Sequence, residues 1–184
     1  MFDEKLGIEV RRRGLFLLKV MPGSRTQVVL QSDAVEVVQT HWFDKQYLCP
    51  GWDCPACGTY GGRVGVFFVG LVRQGPEWAP CLVELTAGAW SRAGMLIQME
   101  SMEIGPGLCL ELSRHSARKG VRAEPVEWTE NINPLLATRE RLVDALGVLF
   151  RLPARGLEET AAVWVERVRS AVAKQIEDAV RKVG

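Results

Sequence analysis

Cys54-Pro55-Ala56-Cys57-Gly58 sets two thiols two residues apart across a turn, a spacing at which both sulfurs reach one metal ion. Pro55 presets the backbone of that turn, and Gly58 tolerates the left-handed conformation with which the chain leaves it. Cys49-Pro50-Gly51 is a second thiol-bearing corner and His41 precedes both, so the order is His-x7-Cys-x4-Cys-x2-Cys. Three of the five cysteines and one of the two histidines thus fall within residues 41–57. Four soft or borderline donors suit one tetrahedral divalent ion, and this donor set favours zinc. A full set of protein ligands leaves no position for water, which makes the expected Zn2+ structural. Two plainer readings stand beside it: His41, followed by Trp42 and Phe43, as a packed neutral histidine, and the cysteines as buried thiols. The prolines and glycines around three thiols weigh against the second.

Catalytic alternatives find little support. A zinc nucleobase deaminase needs a glutamate two residues after the histidine and a proline before the paired cysteines, but Phe43 and Asp53 stand there. His115 has no nucleophile beside it, and Glu84, Glu100, Glu103 and Glu111 fall at strand-like positions that fit solvent-facing alternation. The chain reads as a non-enzyme.

Around the ligands lie aromatic and basic side chains. Tyr47, Trp52 and Tyr60 are candidates for stacking on nucleobases, with Lys45, Arg63 and Arg73 as phosphate contacts. Each aromatic has packing around the metal as its alternative, and for Trp42, which adjoins a ligand, packing is the expectation. Arg114, Arg118, Lys119 and Arg122 form a second basic cluster, expected to line the same groove.

The elements that must position these groups read mostly as strands. An apolar block within 7–21 opens the chain after Arg11-Arg12-Arg13, a triplet expected to be solvated. Runs at 27–31 and 35–39, joined by Ser32-Asp33-Ala34, predict a hairpin that delivers the chain to His41. The continuous apolar run 64–73 predicts a strand buried on both faces. Strands are also expected at 81–86, 95–104, 108–112 and 121–128, with a short helix or loop over 87–94. Six to eight short strands with Gly or Pro punctuation predict a small antiparallel β-barrel. The period then changes: Asn133-Pro134 starts a helix that stops before Pro153, and 156–183 is a long amphipathic helix. The fold class is therefore α+β: a barrel over residues 1–130 with a zinc subdomain at about 40–63, then a helical segment over 131–184.

At 184 residues, 47% hydrophobic and 24% charged, the chain is long enough to bury a core and ordinary for a soluble globular protein. A net charge of +1 excludes a strongly basic nucleic-acid coat but permits a local basic groove. Cys81 and Cys109 sit in apolar runs and read as small buried hydrophobes. A thiolate site that must stay reduced, with no secretion signal and no membrane span, predicts a cytoplasmic protein.

The ligand order His41, Cys49, Cys54, Cys57 resembles that of the zinc-containing single-stranded DNA-binding proteins of bacteriophages, and a basic loop between late strands in 108–128 echoes them. This chain departs from them in a shorter ligand spacing and in lacking their acidic tail. The resemblance implies an oligonucleotide-binding (OB-like) barrel with an inserted metal site. The expected function is non-catalytic binding of single-stranded nucleic acid, DNA preferred. The alternative is a zinc-stapled interaction or scaffold subunit that docks a protein partner or forms a homodimer through helix 157–183.

Overall fold

The computed structural model describes residues 15–31, 35–51, 53–127, 139–154, 156 and 159–183. Their strands are β1 (Ser24–Leu30), β2 (Glu36–Trp42), β3 (Gln46–Leu48), β4 (Arg63–Gln74), β5 (Glu77–Thr86), β6 (Cys109–Arg114) and β7 (Arg122–Pro125). Their helices are α1 (Cys57–Tyr60), α2 (Ala87–Met99), α3 (Arg139–Leu149) and α4 (Ala161–Val183). The α+β class and the closing helix agree with the sequence reading. Trp128, Arg11-Arg12-Arg13, Ser32-Asp33-Ala34 and Asn133-Pro134 lie outside the described residues.

The strands form a seven-stranded sheet in the order β3-β2-β4-β1-β6-β7, with β5 also on β4. The path has two ends, so among the described residues the sheet does not close into the expected barrel. The 27–31/35–39 hairpin is also absent: β1 pairs antiparallel with β4 and β6, and β4 stands between β1 and β2. The reason is the composition of β4. Every residue from Gly65 to Val72 is buried, and a run with no polar face is stable only with strands on both edges and cover on both sides.

The chain divides into two compact units, residues 1–37 with 66–145, and residues 38–65 with 146–184. In the first, Val28, Leu30, Phe68, Val72, Val83, Leu85 and Leu110 form one core with Ala93 and Ile97 of α2. Phe68 meets Trp90 at 5.7 Å between ring centroids. Gly70 lets β1 and β4 close: a Cβ there would lie 2.3 Å from Val28 Cγ1, and Val28 is a stiff, fully buried valine. Gly70→Ala is therefore expected to destabilise by about 1–3 kcal/mol, read as a fall in denaturant midpoint at constant m-value. An unchanged midpoint would show that this strand pair is not tightly packed.

The expected strand at 95–104 is instead the second half of α2 and its exit. Thr86 caps the helix, accepting from the Ala89 N–H at 3.2 Å, and Ala93 and Ile97 follow at a four-residue spacing on the core face. The helix ends where Met102 N–H bonds to Ile97 O and Ser101 N–H to Gln98 O, with Ser101 at φ 55. That is a left-handed cap made without glycine.

The second unit packs α4 on the segment that carries Tyr47, Cys54 and Ala56. Tyr47, Cys54, Ala56, Ile176 and Ala179 form its core, with Phe43, Cys49 and Val180 against it. Val172, Ile176 and Ala179 recur at helical spacing and are buried, whereas Val163 and Val165 near the start of α4 are exposed. Among the described residues no helix is long and apolar enough to cross a membrane.

Candidate metal centre

Strand β2 carries His41 into the second unit, and the short β3 pairs back on it with Thr40 opposite Leu48 and His41 opposite Tyr47. Cys49 follows β3 directly, its N–H bonded to Gln39 O at 2.8 Å. Gly51, at φ 110, makes the corner after Cys49, and Cys54 N–H returns to Gly51 O. Cys57 N–H bonds to Cys54 O, and α1 starts there. Left-handed conformation falls on Gly51 and Gly61, while Gly58, expected to adopt it, lies inside α1.

The four donor atoms of His41, Cys49, Cys54 and Cys57 lie within 4.8 Å of one another. His41 Nε2 is 3.3 Å from Cys54 Sγ and 3.6 Å from Cys57 Sγ, and Cys49 Sγ is 3.6 Å from Cys57 Sγ. A tetrahedral zinc with ordinary bond lengths separates sulfurs by roughly 3.8 Å and nitrogen from sulfur by roughly 3.5 Å. These three separations are close to that size, within a cluster that spans up to 4.8 Å. His41 Nδ1 faces the Gly61 carbonyl, and a carbonyl only accepts, so Nδ1 carries the proton and Nε2 turns its lone pair to the thiols. That orientation is compatible with His41 as the fourth donor of a metal site. Gln39 Nε2 lies 3.7 Å from Cys57 Sγ and can donate to it.

Burial, with the neighbouring Cys57 and Cys54 thiols, pushes the Cys49 thiol up to about 12, the Gly51 backbone working against it. A bound dication reverses that preference by holding the sulfurs as thiolates. Cys81 and Cys109 lie apart in the other unit, and burial raises their thiols to about 12 and about 11. They behave as buried hydrophobes.

The nucleic-acid candidates divide. Tyr47 is buried, its hydroxyl donating to Asp44 Oδ1 at 2.9 Å, with Phe43 edge-on at 5.8 Å and Lys45 Nζ 5.0 Å from its ring centre. Burial and that hydrogen bond raise its hydroxyl above the ordinary tyrosine range. Its ring serves the core and leaves no face for a base, contrary to the stacking role. Tyr60 is 40% exposed, with Phe43 against it at 5.0 Å between ring centroids. Trp52 lies outside the described residues.

Trp42 reverses the expectation that it packs, being 71% exposed. Alternation alone does not explain it, since Thr40 on the same face of β2 is buried; Trp42 is the last residue of the strand. Gln39 shares the parity of His41, and that two-residue spacing is the sequence signal for its approach to Cys57.

Arg63 and Arg73 are exposed, as are Arg118, Lys119 and Arg122. Arg114 is turned into its own loop, its Nε donating to Lys119 O at 3.1 Å and its Nη2 to Ala117 O at 2.8 Å, so it shapes the loop that presents the others. Arg73 and the 114–122 loop belong to the first unit, and Lys45, Tyr60 and Arg63 to the second. No protein-family model, curated protein or solved structure matches this chain.

Proposed function

We propose that His41, Cys49, Cys54 and Cys57 hold one structural Zn2+, and that the segment it orders belongs to a non-catalytic protein that binds single-stranded nucleic acid, DNA in preference. The observation that carries this reading is the exposure of Trp42 and Tyr60 on the segment whose interior is the ligand cluster. Exposed aromatic faces are costly in water and are what a sequence-tolerant single-strand binder needs, together with cations such as Arg63. The ligand order shared with zinc-containing phage single-stranded DNA-binding proteins supports it, and the sheet is read as an open relative of their OB-like barrel. Thiolate ligation fits a reducing compartment such as the cytoplasm.

The test is a fluorescence-anisotropy titration of labelled single-stranded DNA, single-stranded RNA and duplex DNA over a salt series, with metal content measured on the same preparation. Single strands should bind more tightly than duplex and weaken with salt. Trp42→Ala should lower affinity by about 1–3 kcal/mol, roughly 5- to 150-fold. Alanine at Arg118, Lys119 and Arg122 together should flatten the salt dependence, by about 0.7 in slope for each phosphate no longer neutralised. Absence of binding at low salt, with one zinc per chain, would select the scaffold reading, in which the exposed Val163 and Val165 of α4 meet a protein partner or a second copy.

A further inference from the structure

The first unit carries a second collection of cationic and aromatic side chains that neither the metal segment nor the 114–122 loop uses. Arg25, Thr26, Gln27, Arg73, Trp78 and Glu111 line a depression of about 290 Å³. Strand pleating builds it. Arg25 and Gln27 share one face of β1 at a spacing of two, and β6 sets Glu111 opposite Gln27. Continuing the Val28–Val72 pairing by one residue sets Arg73 of β4 opposite Gln27 from the other side. Arg73, Gln27 and Glu111 therefore form a row across three strands, and the half-buried Trp78 joins it from β5.

Two features distinguish this strip from an ordinary polar sheet surface. Arg25 Nη1 meets Glu111 Oε1 at 3.2 Å with the arginine side chain 76% exposed, a pair worth little to stability. Trp78 adds a large, half-buried aromatic side chain to the same polar depression. Two guanidinium groups against one carboxylate also leave the strip net positive. Stacking on an indole, planar cationic forks, and an amide beside a carboxylate are the complement of a base carrying a phosphate.

We infer that this strip binds one nucleotide, its base on Trp78, its phosphate on Arg73 and Arg25, and its base edge against Gln27 and Glu111. The inference rests on the single-strand reading above for the nucleotide being part of a strand, since a free mononucleotide offers the same chemistry.

The test compares wild type with the double variant Arg25→Gln/Arg73→Gln, whose changed side chains are exposed, and with Trp78→Phe. The probes are a labelled oligothymidylate, read by anisotropy over a salt series, and thymidine monophosphate, read by tryptophan fluorescence. The expected result is oligothymidylate binding that the double variant weakens roughly tenfold, with a salt slope shallower by about 0.7 for the one phosphate no longer neutralised, and quenching partly lost in Trp78→Phe. Wild-type binding that neither variant changes would overturn this site and leave the single-strand reading standing. Thymidine monophosphate binding abolished by the double variant, without oligothymidylate binding, would keep the site and overturn the strand. Binding of neither probe would overturn both.

Discussion

Replacing Cys54 by serine is expected to strip the metal from the protein and unfold residues 38–65 together with α4. Cys54 has two roles: its sulfur is 3.3 Å from His41 Nε2, and its side chain is buried in the core that Tyr47, Ala56 and Ile176 complete. Serine gives a weaker, protonated oxygen donor for zinc and leaves a hydroxyl in that apolar core. Structural zinc in small sites contributes on the order of 10–16 kcal/mol of folding free energy, comparable with the roughly 5–15 kcal/mol that holds a whole domain folded. A three-ligand remnant cannot retain most of that. The measurements are zinc per chain by mass spectrometry and helical circular dichroism, to which the 23-residue α4 contributes strongly. Cys109→Ser is the control, since Cys109 is buried in the other unit and should leave zinc content unchanged. A Cys54→Ser protein with one zinc per chain and unaltered melting would exclude this cluster as a metal site.

The ligand cluster is legible in the sequence because a metal corner is a local object: its cysteines lie close along the chain, and turn residues flank them. Strand β4 is legible for a similar reason, since an unbroken apolar run of that length admits few placements. Features that depend on partners distant in sequence are not. The alternation in Met95–Ile104 imitates a strand because the helix exit, where Glu100, Ser101 and Glu103 interrupt the apolar residues, lacks the glycine that usually marks it. Thr86 before Ala87-Gly88-Ala89 is a cap signal that outweighs that alternation. The β1–β2 hairpin fails to form because adjacency in sequence competes with burial of β4, and burial of the more apolar strand prevails. The exposure of Trp42 does not follow from parity, because Thr40 on the same face of β2 is buried. Nor is the burial of Tyr47 legible, because it depends on which face of α4 arrives over it.

That arrival yields the second large effect. Ile176→Ala is expected to destabilise the second unit by about 2–5 kcal/mol, the range for emptying a fully buried aliphatic site. It should also loosen the metal. Ile176 packs in one cluster with Cys54 and Ala56, one residue a proposed ligand and the other inside the paired-cysteine turn. Zinc requires that turn folded around it, so free energy lost from the folded turn appears as lost apparent affinity, about tenfold for each 1.4 kcal/mol expressed locally. In a chelator competition Ile176→Ala should release zinc at lower chelator concentration than wild type. Val163→Ala, an exposed site on the same helix, should stay within about 0.5 kcal/mol of wild type and release zinc normally. If Ile176→Ala melted earlier yet held zinc as tightly as wild type, helix packing and metal binding would be independent, and α4 would be a cover on a metal turn that folds without it. If both moved together, the metal and the helix would be one cooperative unit, and any partner that pulls on α4 would also act on the zinc.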